Sequence, residues 1–277
     1  MASDPNWTPG ETGQPLNPGN AVEQPLPPVP DASALRPLLP WNGWDVVRIA
    51  IFTLAMIFLF AVAFTFGAQK LLYPHLSLME VGRFPLVGVL AQLGAYFVVL
   101  VYMYIIVTRT GEGFWKAINW NWPQQPLAYV VAGVVISIGL QGFAHLLPMP
   151  KSLPIDKFFQ TPLEAWVLSL FGMTLAPLLE ELFFRGFLYP VLARKIGVIL
   201  AVFLTALGFS LIHAPQLAKA WGPVLIVFLI GLALTIVRAV KKSVAAGMLM
   251  HMAYNGTISV LLFIASGGFR HLDRVVQ

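Results

Sequence analysis

From about residue 46 onward the chain alternates between long apolar runs and short polar connections. Seven runs stand out, at roughly 46–68, 86–108, 127–147, 163–192, 196–214, 221–239 and 243–266. At 1.5 Å per residue each is long enough to cross ~30 Å of hydrocarbon as a helix. The pattern therefore predicts an all-α, polytopic integral membrane protein of about seven transmembrane helices. Trp41, Trp44, Trp115, Trp120, Trp122, Trp166 and Trp221 fall near the expected span ends, and indoles favour the headgroup level. The Trp-rich stretch 112–125 is expected to lie in the interface.

Composition agrees with this pattern. The 277 residues are 58% hydrophobic and only 10% charged, with a mean hydropathy of +0.77; soluble domains carry about 25% charged residues. The net charge of +5 is small, and the basic residues lie mostly between apolar runs. That distribution suits headgroups and topology control and gives no footing for nucleic-acid binding. With no cysteine there is no disulfide, thiol nucleophile or thiolate metal site. The first 42 residues are a different object: about ten of the 22 prolines lie there, with few large apolar groups. Such a segment is expected to be a disordered, Pro-rich tail. The expected organisation is thus a tail over 1–42, N-terminal transmembrane helices over 43–155 and a core of later transmembrane helices over 156–270. The Lys and Arg pairs at 194–195 and 241–242 place the N-terminus on the cytoplasmic side.

Against this background a few polar residues inside the spans need a reason. They are Gln92, Gln141, His145, Glu180, Glu181, Arg185, His213, His251 and Asn255. The two glutamines read as interhelical hydrogen-bonding groups, and His145 as interfacial. The charged cluster is costlier, because each charge at the centre of a membrane helix costs about 2.5–3.5 kcal/mol on insertion scales. Glu181 and Arg185 are four residues apart, acid first, and can pair along one helix face. Glu180 is rotated by about 100° from Glu181 and is free for other partners. His251 and Asn255 are also four apart and point the same way. Counted from the basic loops, Glu180 lies roughly 22 Å deep, His213 roughly 27 Å, His251 roughly 14 Å and Asn255 roughly 20 Å. Groups from three helices thus reach overlapping depths. Pro177 can kink the fourth helix and free carbonyls beside them.

A carboxylate in an apolar place can act as a general base, an imidazole can help hold and deprotonate a water, and a second imidazole with a carboxamide can stabilise an oxyanion. Hydrolysis by activated water is within reach of Glu180, His213, His251 and Asn255 without a cofactor. Zinc is the lesser alternative: Glu and His are common ligands, but no His-Glu-x-x-His pair is present.

Glu180-Glu181-x-x-x-Arg185, Phe209-x-x-x-His213 and His251-x-x-x-Asn255 resemble, in order and spacing, the three motifs of the CAAX-protease and bacteriocin-processing family (CPBP, or Abi), which includes the type II CAAX prenyl endopeptidases. Ala176-Pro177 and Arg185-Gly186 are similar to its bacterial members, which makes a bacterial cytoplasmic membrane the expected location, and the likeness spans roughly residues 163–260. It implies an intramembrane glutamate-type endopeptidase acting on a membrane-associated peptide or protein. Glu180 would be the base, His213 would assist in activating water, His251 and Asn255 would form the oxyanion hole, and Glu181 and Arg185 would support the site. Two further classes remain open: a membrane interaction or bacteriocin-immunity protein with the same fold, and a proton-coupled transporter, for which no repeat between the halves speaks.

Overall fold

The computed structural model describes residues 39–159 and 161–272, which are helical with no strand among them. The tail expected over 1–42 lies outside the described residues up to Leu38. Seven membrane-length helical segments occur at Gly43–Leu71, Pro85–Thr108, Pro126–Ala144, Pro162–Ile196, Val198–Leu217, Trp221–Lys241 and Val244–Ala265, close to the seven expected runs. We label the helices α1 (Gly43–Leu71), α2 (Pro85–Thr108), α3 (Pro126–Ala144), α4 (Pro162–Met173), α5 (Leu175–Glu181), α6 (Tyr189–Ile196), α7 (Val198–His213), α8 (Trp221–Lys241) and α9 (Val244–Ala265). The fourth span is thus three helices, α4 to α6, with a π-helical turn at Leu182–Leu188 between the last two.

Local chemistry sets the ends of these helices. Proline opens α2, α3 and α4, where its missing N–H is no loss. Asn42 caps α1 by accepting from the Trp44 and Asp45 amides, while Asp45 accepts from the Asn42 amide, the reciprocal arrangement of a capping box. Gly197 separates α6 from α7 with a φ of 82°, a left-handed turn that glycine adopts without steric cost. Large apolar side chains such as Leu54, Phe58, Phe97 and Val135 are exposed, as a lipid-facing surface requires.

Three tight helix pairs build the bundle. The first joins α1 to α2: buried Asp45 binds Arg109 at 2.9 Å at one end. In the second, α8 approaches α7 at Gly231, where a β-carbon would meet the Phe209 ring at 3.0 Å. The third joins α3 to α9. A β-carbon on Gly133 would run into the Met250 carbonyl, and the Ser137 hydroxyl donates to the Tyr254 carbonyl at 3.1 Å. This is the small-residue mode of association expected in lipid, where close backbone approach replaces the hydrophobic effect.

Three sequence expectations need correcting. Gln92 makes no bond between helices there; its amide donates to the Tyr96 hydroxyl at 2.6 Å, one turn along the same helix. Trp41 is buried rather than set among headgroups, its ring tilted at 37° against Phe187 with centroids 4.6 Å apart. Stretch 112–125 is also only partly interfacial: Phe114 and Ile118 are buried in the core, whereas Trp115 and Trp122 are exposed. Its backbone holds the start of α9, with the Asn119 carbonyl accepting from the Val244 amide at 3.0 Å.

The α3–α9 contact yields a stability test. Gly133→Ala forces the two backbones apart and should destabilise the protein by about 1–3 kcal/mol, read as a lower thermal unfolding midpoint in detergent. Gly139→Ala, on the same helix with open space around it, should leave the midpoint unchanged or slightly raised.

Candidate active site

The fourth span is irregular where the site is built. Its backbone breaks at Thr174 (φ −121°, ψ −70°), just before Met173–Pro177 would form the i, i+4 bond that proline cannot donate. Glu180 and Glu181 close α5, and Arg185 lies in the π-helical turn that follows. Single π turns inside α-helices frequently mark functional sites, since the extra residue leaves backbone groups without regular partners. Within this turn the Phe187 carbonyl accepts a hydrogen bond from the Trp41 indole at 3.1 Å.

Glu181 and Arg185 are both fully buried and pair at 2.9 Å, as their spacing predicts. Arg185 also donates from Nε to the Thr235 hydroxyl and from Nη2 to the Gly231 carbonyl, at 3.2 and 2.9 Å. Its guanidinium lies over the Phe209 ring, 4.6 Å from the centroid. One side chain therefore links the fourth span to α7 and α8. Glu181 extends the link to α9: the oxygen that accepts from Arg185 also accepts from His251 Nδ1 at 3.0 Å. The other oxygen, Oε2, has no hydrogen-bond partner and is packed against Gly247.

Glu180 faces away from this pair and toward two imidazoles. Its Oε1 is 3.5 Å from His213 Nε2, and its Oε2 is 3.7 Å from His251 Nε2. Glu180 and His213 keep 18% and 20% side-chain exposure, whereas Glu181 and His251 have 0% and 4%. The outer pair is accessible; the inner pair is scaffold. The tautomers follow from the partners. His213 Nδ1 lies 2.7 Å from the Phe209 carbonyl, which only accepts, so Nδ1 holds the proton and neutral His213 offers the Nε2 lone pair to the site. Two acceptors, Nε2 and Oε1, then face one another, an arrangement satisfied by a shared proton or an O–H donor between them. By the same logic His251 gives its Nδ1 proton to Glu181, and Nε2 donates toward the site when both nitrogens are protonated.

Of the four residues expected to act, the structure brings Glu180, His213 and His251 together. Asn255 lies one turn beyond His251 and donates from Nδ2 to the Gly172 carbonyl at 2.7 Å, beside the break at Thr174; the second of its two N–H groups has no partner among the described residues. Tyr96 on α2 was not singled out from sequence. It stacks on Phe171 with centroids 6.0 Å apart, on the turn that precedes the break at Thr174, and its hydroxyl accepts from Gln92. The legible signal was Gln92 and Tyr96 at helical spacing within an apolar span. Among the described residues no three His, Asp or Glu side chains are arranged to hold a metal ion.

The inner pair is open to a direct test. Glu181→Ala leaves Arg185 buried without its counter-charge and should cost about 3–5 kcal/mol of stability, whereas Glu180→Gln should change it by less than about 1 kcal/mol. Thermal unfolding of the two purified variants separates these outcomes. Gly247→Ala should resemble Glu181→Ala in a milder form, because its β-carbon would come within 2.8 Å of Glu181 Oε2.

Comparison with curated proteins and with solved structures gives no match. Comparison with family profiles gives one, described as type II CAAX prenyl endopeptidase Rce1-like, over residues 161–257. That stretch contains all three motifs and extends from the start of α4 into α9. With seven apolar spans, the chain is an integral membrane protein whose residues 161–257 have the sequence pattern of the CAAX-protease family.

Proposed function

We propose that this protein is an intramembrane endopeptidase that hydrolyses a peptide bond of a membrane-associated protein or peptide with water activated by Glu180 and His213. The observation that carries the reading is the seating of the accessible Glu180 carboxylate between His213 and His251, at 3.5 and 3.7 Å. The match to a family of membrane proteases supports it.

In this mechanism a water molecule donates one hydrogen bond to Glu180 and is oriented by His213, whose ring is fixed through Nδ1 to the Phe209 carbonyl. Glu180 takes the proton as the water oxygen attacks the substrate carbonyl carbon. The carbonyl oxygen becomes an oxyanion, stabilised by N–H groups of His251 and Asn255. Glu180 then returns the proton to the amide nitrogen, the C–N bond breaks, and a carboxylate and an amine leave. Glu181 holds the His251 ring in orientation, much as a carboxylate orients the imidazole of a hydrolytic triad. No metal or organic cofactor takes part. The substrate enters from or beside the bilayer, and the profile's name makes a C-terminal prenylated peptide one candidate class. The face bearing the Arg194-Lys195 and Lys241-Lys242 pairs is assigned to the cytoplasm, in a bacterial cytoplasmic membrane.

The reading requires that Glu180→Ala and His213→Ala each lower cleavage by roughly 10²–10⁴-fold while abundance and unfolding temperature persist. Comparing membrane proteomes of cells carrying wild-type or Glu180→Ala protein should reveal peptides truncated only in the wild type. Full cleavage by purified Glu180→Ala protein would rule the mechanism out. A phenotype that survives loss of Glu180 would favour a binding or immunity role for the same fold.

A further inference from the structure

A pocket of about 560 Å³ lies at one end of the bundle between the start of α1 and the end of α6. It is separate from the Glu180 site. Its walls include Trp41, Trp44 and Val47, and its polar groups include Arg194 and Lys195. No carboxylate lines it, and neither cation forms an ion pair among the described residues. The Lys195 ammonium lies over Gly43, 3.1 Å from where a β-carbon would stand. Gly43 is the first residue of a 29-residue helix, whose N-terminus carries partial positive charge. Both cations stand in the last turn of α6, where the helix dipole favours positive charge, and Asp45 and the Asn42 cap already serve the first turn of α1. What points to an anion is the pocket itself, which has an ammonium and a guanidinium in its wall and no carboxylate.

The depth and shape of the pocket select the anion. It opens at the end of a transmembrane helix, and Trp44 at its rim is exposed, as an indole at headgroup level would be. Trp44, Val47, Ile51, Leu54 and Phe58 are all exposed and follow one another at three- and four-residue steps, which puts them on one face of α1. An apolar stripe thus descends from the cationic pocket along the lipid-facing side of the helix. We propose that the pocket binds the phosphate-bearing headgroup of an anionic phospholipid between Arg194, Lys195 and the start of α1, with an acyl chain along the stripe. Bound there, the lipid contacts Trp41, which is hydrogen-bonded to Phe187 at the end of the π-helical turn, and so braces the span that carries Glu180 and Glu181. The site is independent of the hydrolytic reading.

The test uses the full chain purified in neutral detergent and titrated with phosphatidylglycerol, with retained lipid counted by native mass spectrometry. Near an anionic surface each Lys or Arg contributes about fivefold to affinity, so Arg194→Gln with Lys195→Gln should weaken binding about 25-fold. Lys241→Gln with Lys242→Gln, on the same membrane face but outside the pocket, should weaken it less than about fivefold. Gly43→Val keeps both charges and fills the space under Lys195; it should also lose the lipid, and it decides the matter if the double variant fails to fold. Equal losses for the two charge pairs would mean a diffuse surface effect and overturn the proposal, as would undiminished binding in Gly43→Val. Stabilisation by inorganic phosphate equal to that by phosphatidylglycerol would overturn it in favour of a free anion.

Discussion

The buried Glu181–Arg185 pair is the interaction on which the arrangement of the second half of the chain depends. Two charges are removed from both water and lipid, and such a pair is tolerated when most of its remaining hydrogen-bonding capacity is met, here all but Glu181 Oε2. Meeting it draws in the neighbouring spans: Gly231 and Thr235 from α8, the face of Phe209 from α7, and His251 from α9. In a membrane, where lipid competes equally for apolar surfaces, such directional contacts specify which helices meet and at what rotation. The cost of burying the pair is thereby turned into a unique packing of four segments.

That packing separates two carboxylates that are adjacent in sequence. Glu181 is enclosed and fully engaged, apart from one oxygen against Gly247. Glu180, about 100° around the helix, looks into an accessible space with imidazoles on either side. One acid organises and the other remains available for chemistry. His251 belongs to both, with Nδ1 committed to Glu181 and Nε2 turned to Glu180. The imidazole positions are therefore set by the scaffold, and with them the surroundings of Glu180.

Much of this was legible in the sequence. The seven spans follow from run length, the Glu181–Arg185 pair from its four-residue spacing, and the convergence of Glu180, His213 and His251 from their depths along antiparallel helices. What could not be read was phase. The break at Thr174 and the π-helical turn at Leu182–Leu188 change the rotation of everything after them, and no hydrophobic period reveals them. The Glu181–His251 contact, the partner of Asn255 and the burial of Trp41 all depend on that rotation. Gln92 was misread for a related reason: a glutamine in an apolar span needs a partner, but composition does not say whether it lies across the bundle or, like Tyr96, one turn away. Gly133 and Gly247 were invisible as packing sites because a glycine records only the absence of a side chain.

The close seating of α3 on α9 has an evolutionary consequence. The recognisable portion of the chain begins at residue 161, yet His251 and Asn255 sit on a helix whose opposite side is fitted, backbone to backbone, to a glycine and a serine of a span lying before that portion. The forward half is thus not a freely exchangeable anchor appended to a self-sufficient module. Divergence there is constrained at those two small residues, and a graft of the later spans onto foreign ones would have to reproduce them.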